Sequence, residues 1–203
     1  MQSLPGLDVT TPSIYFDARL NTEVAKIFPG QYFVTDRDIV LLTVLGSCVA
    51  ACIRDATAGI AGMNHFLLPE SAGDLGPASR SARYGTHAME VLINQLIQQG
   101  ARKQSMEAKV FGGGNMLPDL RLSAIGESNA RFIVDYLSKE GIRVAASDLL
   151  DQCARKIYFF PATGRVLVKK LRQLQNDTVL AREQDYRQQL NRTEVSGGVE
   201  LFR

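Results

Sequence analysis

The sequence of 203 residues predicts an α/β sandwich, a mixed and largely antiparallel sheet packed by two amphipathic helices. Three observations carry that expectation. Short β-favouring runs, separated by Gly, Pro and Asp turns, recur along the chain. Two stretches place apolar residues at helical spacing. No heptad array or internal repeat is present, so strands and helices have to share a core. The packed domain is expected over residues 22–171, with 1–21 a disordered tail and 172–203 a polar helix and tail.

Residues 23–34, EVAKIFPGQYFV, read as two short strands joined by a turn at Pro29 and Gly30. A strand over 39–44 follows, and CVAACIR and IAGMNHFLL, on either side of the turn-rich 55–59, read as a hairpin. Residues 70–83, rich in Ser, Gly, Ala and Pro, are long enough for a functional loop. Thr86 is the expected N-cap of a helix whose Met89, Leu92, Ile93 and Leu96 face inward until Gly100 stops it. A strand at 107–113 precedes a second helix over 129–139, with Ala130, Ile133, Val134 and Leu137 inward and Gly141 at its end. IRVAASD resumes strand character, and RKIYFF and RVLVKKL flank Pro161–Gly164 as a second hairpin. Residues 174–191 are polar and Gln-rich, as an exposed helix would be.

Composition narrows the function. At 45% hydrophobic and 22% charged, the chain has the make-up of a soluble globular protein. A net charge of +2, from 23 basic and 21 acidic residues, is too balanced for affinity built on phosphate neutralisation, which argues against nucleic acid. The basic run RVLVKKLRQ reads as a solvated strand edge. Three cysteines, Cys48, Cys52 and Cys153, cannot all pair, and the opening residues lack a basic stretch followed by an apolar core. Reduced thiols in the cytoplasm are expected.

The longest uncharged run, IVLLTVLGSCVAACI over residues 39–53, is shorter than the roughly 20 apolar residues of a membrane span and carries Gly, Ser and Thr. It therefore reads as core strand broken by a turn at Gly46, Ser47 and Cys48. If the following hairpin has a four-residue loop over 55–58, Cys48 lies directly opposite His65 on the same face, with Cβ atoms about 4.5–5.5 Å apart. An imidazolium at that distance lowers the thiol pKa and can return a proton to a leaving group. The turn's N–H groups are available to a developing oxyanion. On pattern alone, a small buried thiol beside a satisfied core histidine explains the pair as well.

Other motifs carry less. Gly112-Gly113-Gly114 lacks the Lys and Ser/Thr of a phosphate loop and reads as a tight strand exit. Cys52 lies some 13 Å along the strand from Cys48, too far for both to hold one ion with His65. His87, at the expected helix start, reads as surface.

LGSCVAACIRD followed by GMNHFLLP resembles the CheD family of chemoreceptor glutamine deamidases. The likeness extends through RYGTHAMEVLI, AKVFGGGNM, IGESNARFIVDYL, RKIYFFPATGRVLVKK and the closing SGGVELF. It implies an enzyme of bacterial chemotaxis that hydrolyses glutamine side-chain amides in the cytoplasmic helices of methyl-accepting receptors, through a thioester and with loss of ammonia. Cys48 would be the nucleophile and His65 the base and acid, with no metal or organic cofactor and no membrane insertion. A CheC phosphatase is a further partner the family implies. The family's orienting threonine lies six residues before the cysteine, where this chain has Leu42. Thr43 takes that role only if a local irregularity near Gly46 offsets the change of strand face. A docking module with little catalysis, a cysteine peptidase and a transglutaminase are the rival readings.

Overall fold

The computed structural model describes residues 12–68, 79–115, 120–171 and 176–192. Its described strands form two sheets, where the sequence suggests one. The first has the order β1 (Ser13–Asp17), β2 (Thr22–Lys26), β4 (Val40–Leu45), β9 (Arg155–Phe160), β10 (Arg165–Lys170). The second runs β3 (Tyr32–Thr35), β6 (Ile60–Asn64), β5 (Val49–Asp55), β7 (Met106–Gly112), β8 (Arg143–Leu149). Pairing is antiparallel except between β2 and β4 and between β7 and β8, so both sheets are mixed.

Packing follows from alternation along the strands. Leu41, Leu45, Ile157 and Phe159 of the first sheet meet Ala50, Cys52, Ala61 and Met63 of the second in one apolar layer. The opposite face of the second sheet, with Val49, Ala51, Ile53, Val110 and Ala108, is covered by α1 (Arg80–Gln98) and α2 (Leu120–Lys139). The architecture is therefore sheet on sheet on helices. β5 and β6 are buried on both faces because each face has a layer to meet. A third helix, α3 (Asn176–Arg192), has Val179, Glu183, Tyr186 and Leu190 buried on one side. Among the described residues no helix is long and apolar enough to cross a membrane.

Several boundaries differ from the sequence reading. Residues 13–17, read as tail, form β1 against β2. The two strands around Pro29–Gly30 are no hairpin, because β2 and β3 belong to different sheets. The first helix starts at Arg80 with Ser79 as N-cap, its side chain accepting from the Ala82 N–H, so Thr86 and a half-buried His87 lie inside it. α2 likewise begins at Leu120, ahead of the apolar repeat that betrays its second half. Of the loop read over 70–83, residues 70–78 lie outside the described residues. The hairpin Arg155–Phe160/Arg165–Lys170 forms as read, and the basic run lies largely on β10, an exposed edge strand.

Candidate active site

The apolar run over 39–53 is two strands of different sheets, β4 and β5, and Gly46, Ser47 and Cys48 carry the chain across. The crossing is held through its carbonyls. Gly114 N–H donates to Gly46 O at 2.6 Å and Gly113 N–H to Cys48 O at 2.8 Å, while Asn129 Nδ2 of α2 donates to Ser47 O at 2.8 Å. The glycine run is required here: Gly112 has φ +108, and a Cβ on it would stand 2.1 Å from the Cys48 carbonyl oxygen. With the carbonyls engaged, the N–H groups of Gly46, Ser47 and Cys48 converge on a single point.

The hairpin register is offset from the sequence reading. Cys52 pairs with Met63 and Asp55 with Ile60, and an isolated bridge joins Val49 to Phe66. The turn is thus 56–59, one residue later than read, and Cys48 is not directly opposite His65 but diagonal to it. An offset of two preserves the face of every side chain, so sulfur and imidazole still meet. Cys48 Sγ, a His65 ring nitrogen and a Glu183 carboxylate oxygen all lie within 4.8 Å of one another.

Thr43 of β4 points to the same side. Its hydroxyl donates to Ile27 O at 2.8 Å and lies 2.8 Å from His65 Nδ1. With its single proton committed to Ile27, Oγ1 accepts from Nδ1–H, which leaves the lone pair on Nε2. Nε2 is buried and has no hydrogen-bond partner among the described residues. Leu42 faces the other way, packed with Val24 and Val40 on the outer side of the first sheet. The hydroxyl that meets His65 is therefore five residues before the cysteine, at Thr43.

The sequence reading leaves out Glu183 altogether. This residue of α3, 3% exposed, places its carboxylate at the convergence of the turn's donors. Oε1 accepts from Gly46 N–H at 2.8 Å and Cys48 N–H at 3.1 Å. Oε2 accepts from Ser47 N–H at 2.9 Å and Ser47 Oγ at 2.7 Å. Three successive backbone N–H groups form an anion-binding nest. Asn129, fully buried, is the other omission: its Oδ1 accepts from Leu68 N–H at 2.9 Å, so one side chain ties the crossing to the segment beyond His65. A polar residue on an inward helical face was the available signal for both, Glu183 among Val179, Tyr186 and Leu190, and Asn129 four residues before Ile133.

Electrostatics follow from burial and from that carboxylate. Burial, then the Glu183 charge and its hydrogen bond, push the Cys48 thiol well above its ordinary value, against a smaller opposing effect of Arg187. Burial depresses His65, and Glu183 partly offsets this. Both shifts favour the uncharged thiol and the uncharged imidazole. A cleft of ≈ 20 Å³ beside His65, lined by Lys26, Phe28, Val44, Arg182 and Glu183 among others, is the size of about one water.

The sulfur, nitrogen and oxygen donors are spaced as a divalent ion would accept them. Both Glu183 oxygens, however, already take two hydrogen bonds each from the turn, which suits a carboxylate guest better than a metal ligand. Cys52 lies in the inter-sheet layer, with its thiol raised by burial, and Cys153 lies beside Asp151. Neither joins the site.

Residues 67–170 match the family model described as CheD chemotactic sensory transduction. A Methylobacillus flagellatus protein named probable chemoreceptor glutamine deamidase CheD is 57% identical over 94% of this chain and 95% of its own length. The protein of that name from Thiobacillus denitrificans is 56% identical over the same shares. A Bacillus licheniformis hypothetical protein, YfiH, overlays 60% of this chain and 51% of its own with a TM-score of 0.36 at 14% identity, too distant to bear on the site. Identity at this level, over nearly the whole length of both relatives, places the chain in the CheD family.

Proposed function

We propose that this protein is a chemoreceptor glutamine deamidase, converting selected glutamines in the helical cytoplasmic part of methyl-accepting receptors to glutamates, with Cys48 as nucleophile, His65 as base and acid, and Thr43 as the group that orients His65. One observation carries the reading: a nest of three N–H groups adjoining Cys48 and His65 already holds a glutamate side chain. A glutamine carboxamide has the same shape with one acceptor oxygen in place of two, which would sit among the N–H donors, and the names of the relatives give it a source.

The steps follow from the positions. His65 Nε2, kept free by the Nδ1 contact to Thr43, takes the Cys48 proton as Sγ bonds to the glutamine Cδ. The carbonyl oxygen, becoming anionic, is stabilised by the turn's N–H groups, whose carbonyls are anchored by Gly113, Gly114 and Asn129. Collapse breaks the Cδ–N bond, and the proton on His65 leaves with ammonia. Water positioned beside His65 then adds to the thioester Cδ, His65 takes its proton, and the C–S bond breaks to release glutamate and the thiol. Each turnover adds a negative charge to the receptor helix.

Incubation with a receptor cytoplasmic fragment tests the reading. Ammonia release and amide-to-acid mass gain at particular glutamines are expected, both abolished by Cys48→Ala. Fragment cleavage would favour a peptidase, and an isopeptide cross-link a transferase. Binding without chemical change would leave a docking module.

A further inference from the structure

Cys48 has no solvent exposure and His65 is 2% exposed, so no other chain can reach them while α3 is in place. The helix that covers them does so with the side chain the proposed reaction makes. Glu183 fills the N–H nest with both carboxylate oxygens, and the buried face of α3 runs Val179, Glu183, Tyr186, Leu190, at −4, +3 and +7 around it. The groove fits that face. Tyr186 hydrogen-bonds to the Tyr84 hydroxyl of α1, and a Cβ at Gly30 would stand 2.7 Å from Tyr186 Oη. The other described side chains of α3 are mostly polar and exposed, and Arg182 lies beside Lys26, whose pKa is lowered by burial and by that like charge. Docking thus meets a like-charge repulsion at its rim.

We propose that α3 is an intramolecular product mimic: it occupies the groove that receives the substrate helix, with Glu183 in the place of the product glutamate, so that the resting protein is closed by its own C-terminal helix and a receptor helix has to displace it. The inference rests on the deamidase reading and extends it. The groove accepts a helix that presents one carboxamide side chain, flanked by apolar residues at −4, +3 and +7. The neutral thiol of the closed form agrees with a nucleophile held at rest.

Glu183→Gln turns the mimic into a substrate. In the full-length variant, the amide at position 183 should convert to the acid at a rate independent of protein concentration, followed by peptide mass, and should persist when Cys48→Ala is added. Glu183→Ala, which empties the nest, should raise the rate of Cys48 alkylation roughly tenfold or more and speed receptor deamidation. An amide that persists while the same variant deamidates receptor fragment overturns the proposal alone, as does an unchanged alkylation rate in Glu183→Ala. A persistent amide with no receptor turnover in any variant, wild type included, overturns the deamidase reading and this inference with it.

Discussion

Thr43→Val replaces the hydroxyl proposed to orient His65 with a methyl group of nearly the same shape and isolates what the hydroxyl does. Thr43 is 1% exposed, and its Oγ1 serves two buried partners, Ile27 O and His65 Nδ1. Leaving each unpaired costs about 1–3 kcal/mol, so folding stability should fall by about 2–6 kcal/mol, read by urea denaturation. The kinetic effect is separate. In the resting site the Nδ1–H···Oγ1 bond joins neutral groups and is worth about 1 kcal/mol, whereas in the transition state the ring is a cation and the bond rises to about 2–3 kcal/mol. The difference of about 1–2 kcal/mol lowers kcat roughly 5- to 30-fold, with KM for receptor fragment little changed. Thr43→Ser keeps the oxygen and should stay within a few-fold of wild type. Wild-type kcat in Thr43→Val, or an equal loss in Thr43→Ser, would refute the orienting role.

Asn129→Ala strips a partner from Ser47 O and from Leu68 N–H, both buried. It should cost about 2–6 kcal/mol in urea denaturation and lower kcat by loosening the N–H nest. Gly112→Ala sets a Cβ against the Cys48 carbonyl in a left-handed backbone conformation, with a stability loss of about 3 kcal/mol or more expected from the same measurement. His65 gives a pH dependence of known sign. Its folded pKa lies below the ordinary 6.5 because it is buried. Just below pH 6.5 the unfolded chain therefore binds a proton that the folded chain does not, and stability falls as pH drops from 7 towards 5. The urea midpoint should decline over that range, and decline less in His65→Gln.

The closeness of Cys48 and His65 was legible in the sequence because it depends on strand parity. The wrong hairpin register still put Cys48 and His65 on one face, since the offset was two residues and not one. Thr43 was harder, because the face of a strand residue next to a turn depends on where the strand ends, and β4 runs to Leu45 before the crossing. That β4 and β5 belong to different sheets was not legible at all. Both are apolar on each face, and a continuous apolar run does not record which neighbours supply the burial. Glu183 was hidden for a related reason: α3 is polar over most of its surface, and a single acidic residue within a sparse apolar stripe looks like solvated helix until its partners in the chain are known. The early start of α1 escaped because its first turns rest on a serine cap instead of an apolar repeat.

Acid quenching during turnover of receptor fragment, followed by peptide mapping, would read the covalent chemistry directly. A thioester between Cys48 Sγ and the Cδ of a receptor glutamine, labile to hydroxylamine and absent in Cys48→Ala, is the expected result. Ammonia release that continues in Cys48→Ala, or an acyl group carried on Cys52 or Cys153, would contradict it.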